Sequence, residues 1–294
     1  MKKRILFIHL LLFSVNLFAQ NNYWQQEVNF TINVSLNDKE HTLDAFEKIE
    51  YVNHSPDTLT FIWFHLWPNA YKTDRTAFSE QLVKSGRTDF YFSKPLQKGY
   101  INQLGFTVDG NIATIMPDSA HIDIIKVLLP KPLLPGAKII LTTPFKVKLP
   151  DIFSRSGHAG NDYQVTQWFP KPAVYDHKGW HPMPYLDQGE FYSEFGKFDV
   201  EITLPSAYTV AATGVLQSAE TLKELKENGK HTINGPLKTW HYKQDSIHDF
   251  AWFASKDFSV THDTVVLASA KVVDVFSYYK TTRKAGLASL AYAK

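Results

Sequence analysis

A chain of 294 residues, 44% hydrophobic and 20% charged, is long enough to bury a core in one large domain or two medium ones. A net charge of only +2 argues against nucleic acid or an anionic membrane surface as partner. The absence of cysteine excludes disulfides, thiolate zinc sites, cysteine nucleophiles and a lipid-modified N-terminal cysteine.

Residues 1–19 carry the marks of a signal peptide. Lys2, Lys3 and Arg4 precede an apolar run from Ile5 to Phe18, and Ala19 supplies a small residue for cleavage before Gln20. The run is interrupted by His9, Ser14 and Asn16 and falls short of the roughly 20 apolar residues a spanning helix needs. The expected destination is therefore export, to the periplasm, the cell surface or the medium, with no membrane span after cleavage.

A β-rich domain is expected over residues 20–276. In residues 27–37, Val28, Phe30, Ile32, Val34 and Leu36 alternate with polar neighbours, the period of a half-buried strand. Turn residues Asn37 and Asp38 lead into a hairpin partner at 41–53, and a third strand follows at 58–67. Residues 74–85 change period: Phe78, Leu82 and Val83 share a helical side and Gly86 supplies a stop, so a short helix is expected. Strands resume at 101–108, 121–129 and 137–149, with Pro130, Pro132 and Pro135 read as punctuation.

Residues 151–196 form a long irregular stretch rich in Gly, Pro, His and aromatics, of the sort that more often serves function than mere connection. Alternation returns at 197–204 and 208–216. Residues 222–230 read as a solvated excursion, and strands at 231–243, 250–254 and 264–276 complete the domain. From Ser277 the composition turns to helix formers with Tyr279, Leu287 and Leu290 on one side. A helix over 277–294 is expected, and with no Gly, Asn or Pro stop it is expected to run past Lys294 into a helical catalytic domain.

The chain shows no complete catalytic or metal motif. None of its twelve histidines is followed by Glu, so the His-Glu-x-x-His zinc arrangement is missing. His177 and His181 have a helical spacing, but Gly179, Pro182 and Pro184 argue against a helix there. Asp187, Glu190 and Glu194 could form an acid/base pair as in a glycosidase, although loop carboxylates are more commonly solvated. Ser156 lacks the first glycine of a nucleophile elbow. Trp63, Trp67, Trp168 and Trp180 read as core first and as stacking platforms second.

The stretch from Tyr163 to Gly214 carries Gln167-Trp168-Phe169-Pro170, Tyr175-Asp176, Gly179-Trp180-His181 and Gly189-Glu190-Phe191-Tyr192. It continues through a Phe-Asp-Val-Glu-Ile-Thr-Leu-Pro strand to Ala211-Ala212-Thr213-Gly214, and Asp249 to Ala254 reads Asp-Phe-Ala-Trp-Phe-Ala. This pattern resembles the N-terminal domain of exported bacterial zinc metallopeptidases of the aminopeptidase N type. The resemblance implies a large β-sandwich or saddle-like domain with a short helix, packed on a helical catalytic domain. It also implies zinc in the full-length enzyme, with ligands outside this chain, and a peptide as substrate. The Gly-x-Met-Glu-Asn segment of the family is missing, since Met116 and Met183 are both followed by Pro.

One residue role follows from the resemblance. Family members place an N-terminal-domain glutamine at the edge of the active site, and Gln167 is the best match, with Gln164 as rival. The expected function is non-catalytic: capping the active site and helping to position the peptide N-terminus, with the missing catalytic domain as partner. A complete exported binding protein, using exposed aromatics around Trp168 and Trp180 on a peptide or glycan, is the alternative. The chain departs from the more familiar family run, having Phe169-Pro170-Lys171-Pro172 followed by an insertion-like loop to Glu194.

Overall fold

The computed structural model describes residues 23–281. The expected signal peptide lies outside them, as do residues 282–294 of the expected C-terminal helix.

In chain order, β1 (Glu27–Asn37), β2 (Thr42–Val52) and β3 (Leu59–His65) lead to helix α1 (Ala77–Lys84). Four short strands follow: β4 (Tyr100–Asn102), β5 (Thr107–Val108), β6 (Asn111–Ile112) and β7 (Thr114–Pro117). The longer β8 (Ile124–Leu133) and β9 (Lys138–Lys148) come next. The irregular stretch contains β10 (Gly157–Ala159), β11 (Asp162–Val165), β12 (Lys171–Pro172), β13 (Tyr175–Asp176) and β14 (Gly179–Trp180). β15 (Gly196–Pro205), β16 (Thr209–Ala212) and β17 (Val215–Leu216) precede helix α2 (Ala219–Asn228). β18 (Leu237–Ile247), β19 (Trp252–Ser255), β20 (Phe258–Val266) and β21 (Val272–Lys280) end the described chain.

These form a mainly β, multi-sheet domain with no closed barrel. The largest sheet has nine strands, in the order β17-β18-β15-β1-β2-β9-β5-β6 with β4 also on β9. β1 pairs antiparallel with β2 and parallel with β15, in a register that sets Phe30 beside Phe198, Ile32 beside Val200 and Val34 beside Ile202. Because side chains alternate across a strand, this register gathers the apolar set of both strands on one face. Gly196 opens β15 where it crosses β1: a Cβ there would lie 1.8 Å from the Val28 carbonyl oxygen.

Two four-stranded sheets cover that face, one ordered β12-β3-β8-β7 and the other β10-β11-β19-β16. Their side chains interlock in a continuous core. Phe30 stacks on Phe198 at 4.6 Å and takes the edge of Phe169 at 5.3 Å. Phe64 meets Phe106 at 4.7 Å, and Trp168 meets Trp252 edge-on at 6.3 Å. A smaller core of Trp67, Tyr71, Phe78, Leu82, Phe90 and Tyr185 lies under α1 and ties the irregular stretch to it.

Three local expectations are corrected. Residues 222–230 are mostly helix rather than an excursion, because Ser218 caps the N–H of Thr221 at 3.2 Å and Gly229 ends α2 in the left-handed region at φ +67°. β8 runs through Pro130 and Pro132 instead of stopping. Its register on β3 jumps from Leu128 to Leu133, so both prolines fall in the bulge, where no ladder hydrogen bond is required of them. Finally, Ser277 to Lys280 do not begin a helix. They continue β21, paired with β20 as far as Phe258–Lys280, and cross-strand pairing overrides their helix propensity.

Candidate functional site

The two glutamines singled out by the resemblance lie on and just beyond β11, the second strand of the sheet β10-β11-β19-β16. Tyr163 and Val165 point into the core with Trp252, Ala254 and Val210. Gln164 points the other way, in a row that runs across the sheet as Gly157, Gln164, Phe253 and Ala211. Phe253 is 36% exposed and Ile152 beside the row 43%, so this outer face carries apolar side chains around the Gln164 amide, with the Asp162–Lys280 ion pair also lining it. A shallow groove of about 390 Å³ runs along it, walled by Ile152, Gln164, Phe253, Phe258, Tyr278 and Tyr279. The Gln164 amide is steadied by donating to the Arg155 carbonyl at 2.7 Å.

Gln167 is turned inward. Three residues along extended backbone bring a side chain to the opposite face. Its φ of +48° lies in the left-handed region, at a cost of about 1–2 kcal/mol for a non-glycine residue. Its Nε2 donates to Asp249 Oδ2 at 3.0 Å, while its Oε1 is buried without a partner. Asp249 pairs with the buried Lys171 at 2.7 Å, and Lys171 also donates to the His248 carbonyl at 3.3 Å. Burial works against both charges. For Asp249 it is outweighed by the Lys171 charge and the bonds from Lys171, Gln167 and the Phe250 N–H, which hold the carboxyl below its ordinary range. For Lys171 burial prevails and lowers the ammonium, with Asp249 opposing. His65, opposite Lys171 in the β3–β12 pair, is driven down to about 3 by burial and then by the Lys171 charge, so it is neutral. Its Nε2 accepts the Met183 N–H at 3.0 Å.

The remaining sequence candidates are dispersed. Asp187 is held by Arg87 at 3.4 Å and by Gln188 at 3.1 Å. Burial pushes its carboxyl up, but these bonds and the Arg87 and Arg155 charges outweigh it and leave the carboxyl below its usual range. Glu190 is exposed, so the two do not form a matched acid and base. His181 bonds Asp176 at 2.8 Å as a loop-fixing contact. Trp67 and Trp168 are fully buried, Trp168 donating to the Phe250 carbonyl at 3.0 Å, so Trp168 cannot be an exposed platform. Trp63 and Trp180 are half-buried. Glu194 differs from the other carboxylates: it is buried, and burial pushes it up to about 7 against the bonds from the Tyr175 N–H at 3.3 Å and the Gln25 side chain.

Sequence reading missed the Lys171–Asp249 pair, which joins residues far apart in the chain, and the outward Phe253. The Trp252-Phe253-Ala254 run hides Phe253 among core residues. Its place became visible only through pairing with Gln164. Among the described residues no three His, Asp or Glu side chains gather as a metal site.

No protein-family model matches the chain, and no curated protein matches it. Solved structures match it in fold. A mutant of the M1 zinc metallopeptidase from Deinococcus radiodurans gives a TM-score of 0.53 at 14% identity, over 87% of this chain and 48% of that one. The M1 zinc metallopeptidase from the same organism gives 0.50 at 14% identity, over 87% and 48%. A two-domain M1 zinc metallopeptidase mutant bound to L-tryptophan gives 0.50 at 14% identity, over 89% and 50%. The chain thus spans about half the length of the solved structures it matches. At this identity the likeness is one of fold.

Proposed function

We propose that this chain is the non-catalytic N-terminal β domain of an exported zinc aminopeptidase, forming one wall of its active site. The observation that carries the reading is the fold likeness, which covers 87% of this chain but only 48% of the matched metallopeptidase. The apolar outer row of Gln164, Phe253 and Ala211, with Ile152 beside it, supports a covering partner, because an apolar patch on a sheet face marks a contact surface. The partner assigned to it is the helical catalytic domain of the same protein.

In this arrangement zinc, held by the catalytic domain, supplies a metal-activated water for peptide hydrolysis. This chain's own residues do the rest of what is assigned to them: Phe253 and Ile152 exclude water from the seam. Gln164 offers an amide that can donate and accept at the peptide's first residue without adding charge. Gln167, the closer match by motif, keeps Asp249 and Lys171 in register behind that wall and acts as a positioning residue. Export rests on residues 1–19 alone.

The reading frame beyond codon 294 is the first test: continuation into a helical domain with His-Glu-x-x-His supports the assignment, and a stop codon directly after Lys294 removes it. In the full-length enzyme, Gln164→Ala is expected to raise KM roughly tenfold with kcat little changed, the loss of one uniform hydrogen bond. Unchanged KM for aminoacyl dyes would remove Gln164 from the substrate site.

A further inference from the structure

Glu194 lines a cleft of about 330 Å³ together with Tyr23, Trp24, Gln25, strand β13 and Tyr192. Ligand pockets begin at about this size. Its walls are aromatic: Trp24 and Tyr175 face each other at 5.7 Å between ring centres, and Tyr192 closes a side. Glu194 is 4% exposed, and its carboxyl is met by two neutral groups, the Tyr175 N–H at 3.3 Å and the Gln25 side chain, with no cation beside it among the described residues. Asp176, also in the lining, is fixed by His181 Nε2 at 2.8 Å, by the Lys178 N–H at 2.8 Å and by the Tyr192 hydroxyl at 3.2 Å. Burial works to raise its carboxyl, but these bonds and the His181 charge prevail and lower it, so Asp176 is ionised at neutral pH. Among the described residues, no lysine or arginine lines the cleft.

We propose that this cleft binds a protonated amine or a guanidinium group, with Glu194 as its counter-ion and Trp24, Tyr175 and Tyr192 as its walls. A buried carboxylate bonded only by neutral groups is costly, and a cationic N–H supplies the missing charge. Aromatic faces add attraction for a cation. An anion is repelled by two carboxylates, and a neutral ligand leaves Glu194 uncompensated. The site does not rest on the aminopeptidase reading.

The proposal carries a pH signature. The titratable groups around Glu194 are Tyr175, whose N–H it accepts, Asp176, Tyr192, the buried Tyr51 and, in the cleft lining, His177. Burial first and then its bond to Asp57 raise the Tyr175 hydroxyl to about 12, and burial raises Tyr51 well above its ordinary value, so both phenols stay neutral. Glu194 itself, lifted to about 7 by burial, is mostly ionised at pH 8 and mostly protonated at pH 6. Cation binding therefore weakens roughly tenfold between pH 8 and pH 6.

The experiment is calorimetric titration of the full chain with butylammonium and with agmatine, using tetramethylammonium, which has no N–H to donate, as control. The expected result is saturable binding of the first two at pH 8, at least tenfold weaker binding of the control, and the tenfold weakening at pH 6. Glu194→Gln is expected to weaken binding at least tenfold and abolish its pH dependence. In the unmodified chain at pH 6.5, butylammonium is expected to release protons, read as a heat that changes with the buffer's ionisation enthalpy. Absence of saturable binding to the folded chain at pH 8, meaning a cleft that holds water only, overturns the proposal. So does binding that Glu194→Gln leaves unchanged, or binding at pH 6.5 without proton release.

Discussion

In the nine-stranded sheet, burial is almost wholly apolar. Ile32, Val200, Ile202, Leu43 and Ile49 are all fully buried, and their partners are set by ladder register. The stretch from 151 to 196 buries polar groups instead. Lys171 pairs with Asp249, Asp123 takes the Tyr185 N–H at 2.7 Å, Tyr71 donates to Tyr185 at 2.7 Å, and neutral His65 takes the Met183 N–H. Register holds the sheet, while directional bonds hold the irregular stretch. The first is tolerant of pH and of small shifts; the second fails when one partner is removed. Besides Thr42 and Thr143, the sheet buries one carboxyl, Glu47: neither of its oxygens is bonded among the described residues, and burial alone raises it well above the ordinary carboxylate range.

The comparison breaks most visibly at Lys171. Lys171→Met leaves Asp249 buried and unpaired, and a loss of about 4 kcal/mol in urea unfolding is expected. Adding Asp249→Leu is expected to recover most of it; a double variant as unstable as the single would mean packing, not charge, holds the stretch. On the sheet, Ile32→Ala removes buried methyl groups at a cost of about 3 kcal/mol, equal at pH 5 and pH 8. A strong pH dependence of that cost would contradict the apolar account.

Glu194 gives the next effect. Its folded value of about 7 exceeds the unfolded 4.5, so the folded state keeps a proton that the unfolded state has lost. The stability from that proton is complete below about pH 4.5 and is lost as pH rises through about 7. Glu194→Gln should therefore be more stable than the native chain at pH 8, by about 3 kcal/mol, with little difference at pH 4. Thermal melts at the two pH values read this, and an equal shift at both would place the ionised form in a bonded state. Smallest are the two glutamines. Gln167→Ala is expected to cost about 1 kcal/mol through its bond to Asp249, and Gln164→Ala less than that in the isolated chain. The reverse order would exchange their roles.

Where two-residue alternation ran unbroken, elements were legible to within a residue or two: β1 matches residues 27–37 and β15 begins within one residue of 197. α1 was legible from its period and stop, ending at Lys84, one residue short of the expected 85. α2 was not, because its charged surface concealed Ser218 and Gly229, a complete pair of caps around the buried Leu225. The β20–β21 hairpin was misread where Tyr278 and Tyr279, fit for either state, took the strand through pairing with Val260 and Ser259. Of the candidate site, the Gln167-Trp168-Phe169-Pro170 motif was legible as a resemblance, but which glutamine, Gln164 or Gln167, faces outward was not.

Sequence alone determined the class of the molecule and its apolar strand faces, since these depend on local period and composition. Tertiary structure decided the rest. It set Gln164 outward beside Phe253 and Gln167 inward on Asp249, and it closed the Trp24–Tyr175 cleft over Glu194. Pairing register, burial and charge neutralisation join residues distant in the chain, and no local pattern records which of them will meet.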